Sequence, residues 1–203
     1  MVLKSGHIYR YDRQSDNFTH MADLPDAPPV YRGTFDADRR LWLATGSGVY
    51  SWHEDEGLLK HGLDGVWVKD ILLSGGALIA GTEKGVFSAT MPDGDKKAEF
   101  RQLFDAPLNT EAVCVTPSGI FAGTTNDGLW MSGRNGGNAR KVAGVADKPV
   151  RAIALSPHGY LLAGVDGAGV YAIDPISASV TAHYNADSDM PGSISANNVS
   201  DLL

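Results

Sequence analysis

Residues 40–52 read Arg-Leu-Trp-Leu-Ala-Thr-Gly-Ser-Gly-Val-Tyr-Ser-Trp, "RLWLATGSGVYSW": an apolar run, a turn of small residues, a glycine, then an aliphatic and an aromatic residue. The same order returns in "ALIAGTEKGVFSA" at 77–89, "GIFAGTTNDGLWMS" at 119–132 and "YLLAGVDGAGVYAI" at 160–173. The aromatics Tyr50, Phe87, Trp130 and Tyr171 stand 37, 43 and 41 residues apart, and Tyr9 in "SGHIYRY" lies 41 before Tyr50. The period is therefore about forty residues, the signature of a repeat architecture.

Each unit reads as a hairpin. In Thr82-Glu83-Lys84-Gly85 the glycine supplies the positive φ that a tight turn between two strands demands. The strand before the turn is apolar on both faces ("LWLA", "LIA", "IFA", "LLA"), as expected of a strand covered on both sides of its sheet. Further short alternating runs flank each hairpin: "VYRGTF", "VKDILL", "EAVCVT" and "VRAIAL" before, and "LLKHG", "EFRQLF", "ARKVAG" and "SVTAHY" after. Four short strands per forty residues predict an all-β fold, a β-propeller or propeller fragment with four complete four-stranded blades. The expected blades are 30–63, 66–105, 111–144 and 150–185, with partial blades at 4–22 and 197–203, all within one propeller domain over 1–203. A β-sandwich has no reason to repeat one hairpin four times, a leucine-rich solenoid repeats at about 20–29 residues, and no window carries helical periodicity with caps.

Composition agrees with a globular chain. Of 203 residues 43% are apolar and 20% charged, and 24 glycines are spread along the length, as many tight turns require. The 17 Lys and Arg against 24 Asp and Glu give a net charge of −7, which disfavours nucleic acid as a partner. Cys114, between Val113 and Val115, is expected to be a small buried apolar residue. No run reaches the ~18 apolar residues of a membrane span, so no membrane contact by this segment is expected, and "MVLKSGHIYRYD" lacks a signal-peptide core.

The repeats resemble those of the two-component regulator propeller family, whose motif looks like V-x-x-I-x-x-D-x-x-G-x-L-W-x-G-T-x-x-G-G-L-x-x-Y. The hairpins "LWLATGSGVYSW" and "LIAGTEKGVF" follow it, and "YNADSDMPGSISANNV" at 184–199 follows the family's linker, Y-x-x-x-x-x-x-P-x-S-L-S-x-N-x-V. The Asp-x-x-Gly turn is replaced by "DADRR", "SGG", "TPSG" and "SPHG", and only Leu41-Trp42 keeps the Leu-Trp pair. The resemblance implies a noncatalytic ligand-sensing module in the extracytoplasmic, periplasmic sensor region of a bacterial receptor, whose full length would add a membrane span and a kinase or other output domain. It also implies a carbohydrate or other small-molecule ligand, and a homodimer or pairing with another propeller. "GLWMSGRNGGNARKV" also resembles the Asp-box hairpin of sialidases and xyloglucan-cleaving propellers. Ser132 would open it, but the following Asp and the closing Trp are missing.

Catalysis is not expected. The arginines form no sialidase-like "F-R-I-P" stretch, no spacing selects a carboxylate pair for glycoside hydrolysis, and no G-x-S-x-G elbow occurs. The six histidines, His7, His20, His53, His61, His158 and His183, show no H-E-x-x-H pair, which predicts turn or surface residues and no metal. No cofactor is expected. "PDGD" at 92–95 reads as a turn rather than a calcium loop, and "GVDGAG" at 164–169 joins strands and opens no phosphate-binding helix. The alternatives are a carbohydrate-active propeller enzyme, of hydrolase or lyase type, and a protein-interaction scaffold.

A ligand site would lie where repeated loops meet. One set is the hairpin turns, with Ser47, Glu83, Lys84, Asn126, Asp127 and Asp166. The other is the start of each first strand, with Arg32, Lys69, Glu111 and Arg151. Trp42 and Trp130 fall on repeat positions and are expected in the core, leaving Trp52 and Trp67 for ligand or partner contact. The chain ends themselves read as fragments. "HIYRY" and "NFTHM" are the third and fourth strands of a blade and "NNVSDLL" the first strand of another, so the repeat is expected to continue with a Gly-containing turn and an "L-W-x-G-T"-like strand.

Overall fold

The computed structural model describes residues 1–94, 96–104, 109–190 and 192–202; Asp95 of "PDGD", the expected blade end at 105, Pro191 and Leu203 lie outside the described residues. Eighteen strands and no helix occur among them, and every sheet is antiparallel between sequence neighbours. A two-stranded ribbon comes first, β1 (His7–Asp12) and β2 (Asn17–Asp23). The first four-stranded sheet holds β3 (Val30–Phe35), β4 (Leu41–Thr45), β5 (Gly48–His53) and β6 (Gly57–Gly62). The second holds β7 (Val68–Ser74), β8 (Ala77–Thr82), β9 (Gly85–Thr90) and the short β10 (Arg101–Gln102). The third holds β11 (Thr110–Thr116), β12 (Gly119–Thr124), β13 (Leu129–Ser132) and β14 (Arg140–Lys141). The fourth holds β15 (Val150–Leu155), β16 (Leu161–Val165), β17 (Gly169–Asp174) and β18 (Ser179–Tyr184). These are the four four-stranded blades of a β-propeller fold, and the first-strand runs fall where the repeat predicts them.

Burial follows strand rank. Every residue of β4 and β12 is buried, whereas the outer β18 is largely exposed. Apolar second strands are thus covered on both faces, which is why they lack the polar alternation of the outer strands.

Contacts divide the chain into two compact units, Met1–Ala80 with Ser88–Arg101, and Gly81–Phe87 with Gln102–Leu203. In the first, Ile8, Leu24, Leu41, Leu43 and Tyr50 form a cluster that joins the β1–β2 ribbon to the first sheet. In the second, Phe121, Leu129, Val142, Val150, Leu161 and Ile173 join the third and fourth sheets. Cys114 is only half buried and packs at the edge of this cluster, short of the full burial that its valine neighbours suggested.

A repeated device closes the hairpins. The buried hydroxyls of Thr45, Thr82 and Thr124 donate to the carbonyls of Gly48, Gly85 and Gly128 at 2.8, 2.8 and 2.9 Å. Each also accepts from a turn amide, of Ser47, Lys84 and Asp127, at 3.1, 3.0 and 2.9 Å. Gly85 has φ +112°, the conformation that the turn sequence requires. The fourth hairpin has Val165 in place of the threonine and lacks this cap.

The C-terminal run forms no strand among its described residues. Asn197 nevertheless accepts from Gly169 N–H at 2.9 Å, and Val199 packs against Gly164 of β16 as Val150 packs against Gly123 of β12. The segment follows the path of a first strand without its hydrogen-bond ladder.

Candidate functional site

Both predicted loop sets lie at the same end of their sheets, because the start of a first strand pairs with the end of the second. Val30 pairs with Thr45, Thr110 with Thr124, and Val150 with Val165. In each of these first strands the register then slips by one, leaving Tyr31, Glu111 and Arg151 as the extra residue of a bulge. A bulge re-aims the side chain it carries. Tyr31 is therefore the bulge counterpart of Glu111 and Arg151, with Arg32 one residue further along the strand.

In the second unit several charged residues of this end pair with near neighbours. Glu111 Oε1 accepts from Thr125 Oγ1 at 2.9 Å. Arg151 donates through Nε and Nη2 to Asp166 Oδ2 at 3.0 and 2.8 Å. Asp127 bonds Lys141 Nζ at 2.6 Å and takes the Trp130 indole N–H at 3.2 Å, while Lys141 also reaches Asp147 at 2.6 Å. The two carboxylates hold the Lys141 ammonium above the usual lysine range. Trp130 is consequently half-buried and anchored to a surface turn, not in the core as its repeat position suggested. Asn126 is exposed, and Lys84 presents its carbonyl to Gln102 Nε2 at 3.2 Å.

In the first unit the same end is aromatic. Trp67 is 50% exposed, and its ring lies 6.4 Å from that of Tyr31. The Lys69 ammonium stands 5.2 Å from the Tyr31 centroid and 5.6 Å from that of Trp67, within cation–π range of both. Arg32 Nε sits 3.2 Å from the buried Asp70 carboxylate, which holds the strand below this group. Ser47 completes this end, its hydroxyl 3.4 Å from Tyr50 Oη.

The other tryptophans divide as chemistry dictates. Trp42 is fully buried, donates to Asp36 Oδ2 at 2.9 Å and lies against His61, with ring centroids 4.4 Å apart. Trp52 is half-buried and lines a cleft of about 500 Å³ with Tyr9, Arg10, Tyr11, Phe35 and Glu54, whose carboxylate pairs with Arg10.

The histidines depart from their expected surface and turn role in one case. His158 does sit in the Ser156–Tyr160 turn, closed by Gly159 N–H to Ser156 O at 2.9 Å. His61, in contrast, is buried on β6. Its Nδ1 accepts from Ala98 N–H at 3.1 Å, which leaves Nε2–H to donate to Ser51 Oγ at 2.7 Å. Burial, aided by nearby Arg40 and Lys97, pulls its pKa down to about 4.

No protein-family model and no curated protein sequence matches the chain. Among solved structures it is similar to the extracellular domain of BT4673 from B. thetaiotaomicron, called a one component system in one structure and a hybrid two component system in another. The TM-scores are 0.75 and 0.76, at 20% and 21% identity over 98% and 100% of this chain. The chain spans 28% of the length of each of those two. It is also similar to the computationally designed protein Ika8, with TM-score 0.71 and 11% identity over all of this chain and 60% of that one. At such identities the likeness defines the fold, and the class of protein is a propeller-fold chain.

Proposed function

We propose that this chain is a noncatalytic binding module, part of the extracytoplasmic sensor region of a bacterial two-component receptor, and that Tyr31, Trp67 and Lys69 contact a carbohydrate ligand. The observation that carries the reading is the exposed Trp67 ring beside Tyr31 with a lysine ammonium within cation–π range of both. A flat indole suits the apolar face of a pyranose, and the ammonium supplies a donor to hydroxyl or carboxylate oxygens. The likeness to extracellular domains of BT4673 supports the extracytoplasmic assignment.

In a receptor, such a module acts by differential binding: a ligand shifts the equilibrium between two arrangements only by the difference in its affinity for them. Neutral and uronic-acid oligosaccharides, screened for tryptophan-fluorescence change and for product formation, test the reading. Binding without turnover is expected. Turnover abolished by changing one acidic residue would establish the carbohydrate-active enzyme in its place.

A further inference from the structure

The β1–β2 ribbon carries a group that neither the repeat nor the proposed ligand surface explains. His7 Nδ1 and His20 Nε2 each lie 2.6 Å from the same oxygen, Oδ1 of Asp23. The three donor atoms all fall within 4.8 Å of one another. We propose that His7, His20 and Asp23 form a binding site for a divalent transition metal of the zinc class, with at least one coordination position left open.

The backbone builds the cluster by an irregularity. His7 pairs with Asp23 and Ile8 with Ala22, but Tyr9 then pairs with His20, so Met21 is an extra residue in the ladder. Strict alternation would put His20 on the face opposite Asp23. The bulge turns it to the face of His7 and Asp23, where its ring lies 6.4 Å from His7 and edge-on to Tyr9 at 5.3 Å. Bulges that re-aim one side chain are a recurrent way to assemble sites on sheet edges.

The donor chemistry is that of zinc and its neighbours: two neutral imidazole nitrogens and one carboxylate oxygen, the set found in open three-ligand sites. Bonds of about 2.0–2.2 Å place ligand atoms of a tetrahedral ion about 3.3–3.5 Å apart, so the Asp23 oxygen must withdraw by somewhat under about 1 Å. That is a small rotation for side chains 43%, 47% and 56% exposed. The same exposure gives water, or a donor from a bound partner, access to the remaining position. Two imidazoles converging on one carboxylate oxygen mark the place an ion would take, replacing two hydrogen bonds with three metal–ligand bonds.

Titration of the whole 203-residue chain with ZnCl2 by calorimetry, and with CoCl2 by visible absorption, tests the site. One equivalent is expected, with the intense d–d bands of four- or five-coordinate cobalt. H7A, H20A and D23N should each weaken zinc by at least about ten-fold, since losing a ligand costs no less than losing its hydrogen-bonded support. H158A, outside the cluster, should change nothing. Far-UV circular dichroism checks that each variant keeps its sheets. Zinc binding that survives H20A and D23N, that falls equally in H158A, or that is absent in the parent chain overturns the proposal and leaves the trio as a hydrogen-bonded brace of the ribbon.

Discussion

The two units carry unlike side chains at the same end of their sheets. The second unit presents charges already satisfied by near neighbours, Arg151 on Asp166 and Glu111 on Thr125. The first presents Tyr31, Trp67 and Lys69, with half of Trp67 in solvent. The scaffold beneath is common to both: a bulged first strand and a buried second strand, with a threonine-capped turn in every hairpin but the fourth. A large exposed indole beside a cation is surface that a binding partner would cover.

The harshest way to break this comparison is to attack the scaffold. Gly123 has no room for a methyl, which would lie 2.7 Å from the Val150 carbonyl oxygen, whereas the first sheet already carries Ala44 at the corresponding place. G123A should therefore cost about 3 kcal/mol in urea denaturation, because backbone must move. A44G should cost no more than about 1 kcal/mol. Equal costs would mean that Gly123 is no more crowded than Ala44 and that the close approach of Val150 does not set the residue there.

A second contrast is pH. His61 of the first unit is held neutral, and the second unit has no buried histidine among its described residues. With its folded pKa depressed to about 4 against an unfolded value near 6.5, the unfolded chain takes up a proton that the folded one refuses. Stability is thus full above about pH 6.5 and falls as pH drops toward 4, by on the order of 2 kcal/mol. H61Q should flatten that segment of the stability profile; an unchanged slope would remove His61 as its source.

The smallest effect is the most symmetrical. T45V in the first unit and T124V in the second each strip a buried hydroxyl from a glycine carbonyl and a turn amide. Each should cost about 1 kcal/mol, and by similar amounts. A marked difference in denaturation midpoint would show that one cap is dispensable.

Much of this was legible in the sequence, because the repeat writes the hairpins directly: apolar second strand, small turn, glycine, aromatic. The bulges were not legible. They shift parity by one residue, which makes Tyr31 rather than Arg32 the bulged residue and brings His20 onto the face of Asp23. Alternation can report a face only while the register holds. His61 was hidden for another reason: "LLKHG" looks like an outer strand, and the amide of Ala98 and the Ser51 hydroxyl that pay its desolvation come from distant sequence. Trp130 left the core because Asp127, three residues before it, offers its indole a partner at the surface. The threonine caps were present in every G-T or A-T pair before a turn, but hydroxyl direction is not a property of spacing. Trp67 was readable because it stands outside the tight repeat.

The central claim rests most directly on one titration series. Oligosaccharides that shift the tryptophan fluorescence of the parent chain are to be titrated into W67A and R151A, with product analysis alongside. The account predicts a loss of at least about ten-fold in affinity for W67A, since stacking on an aromatic carries on the order of 1–3 kcal/mol. It predicts less than about two-fold change for R151A, an exposed and already paired charge, and no product in any sample. Undiminished binding by W67A, a loss for R151A as large, or no binding by any sugar in the set would contradict it.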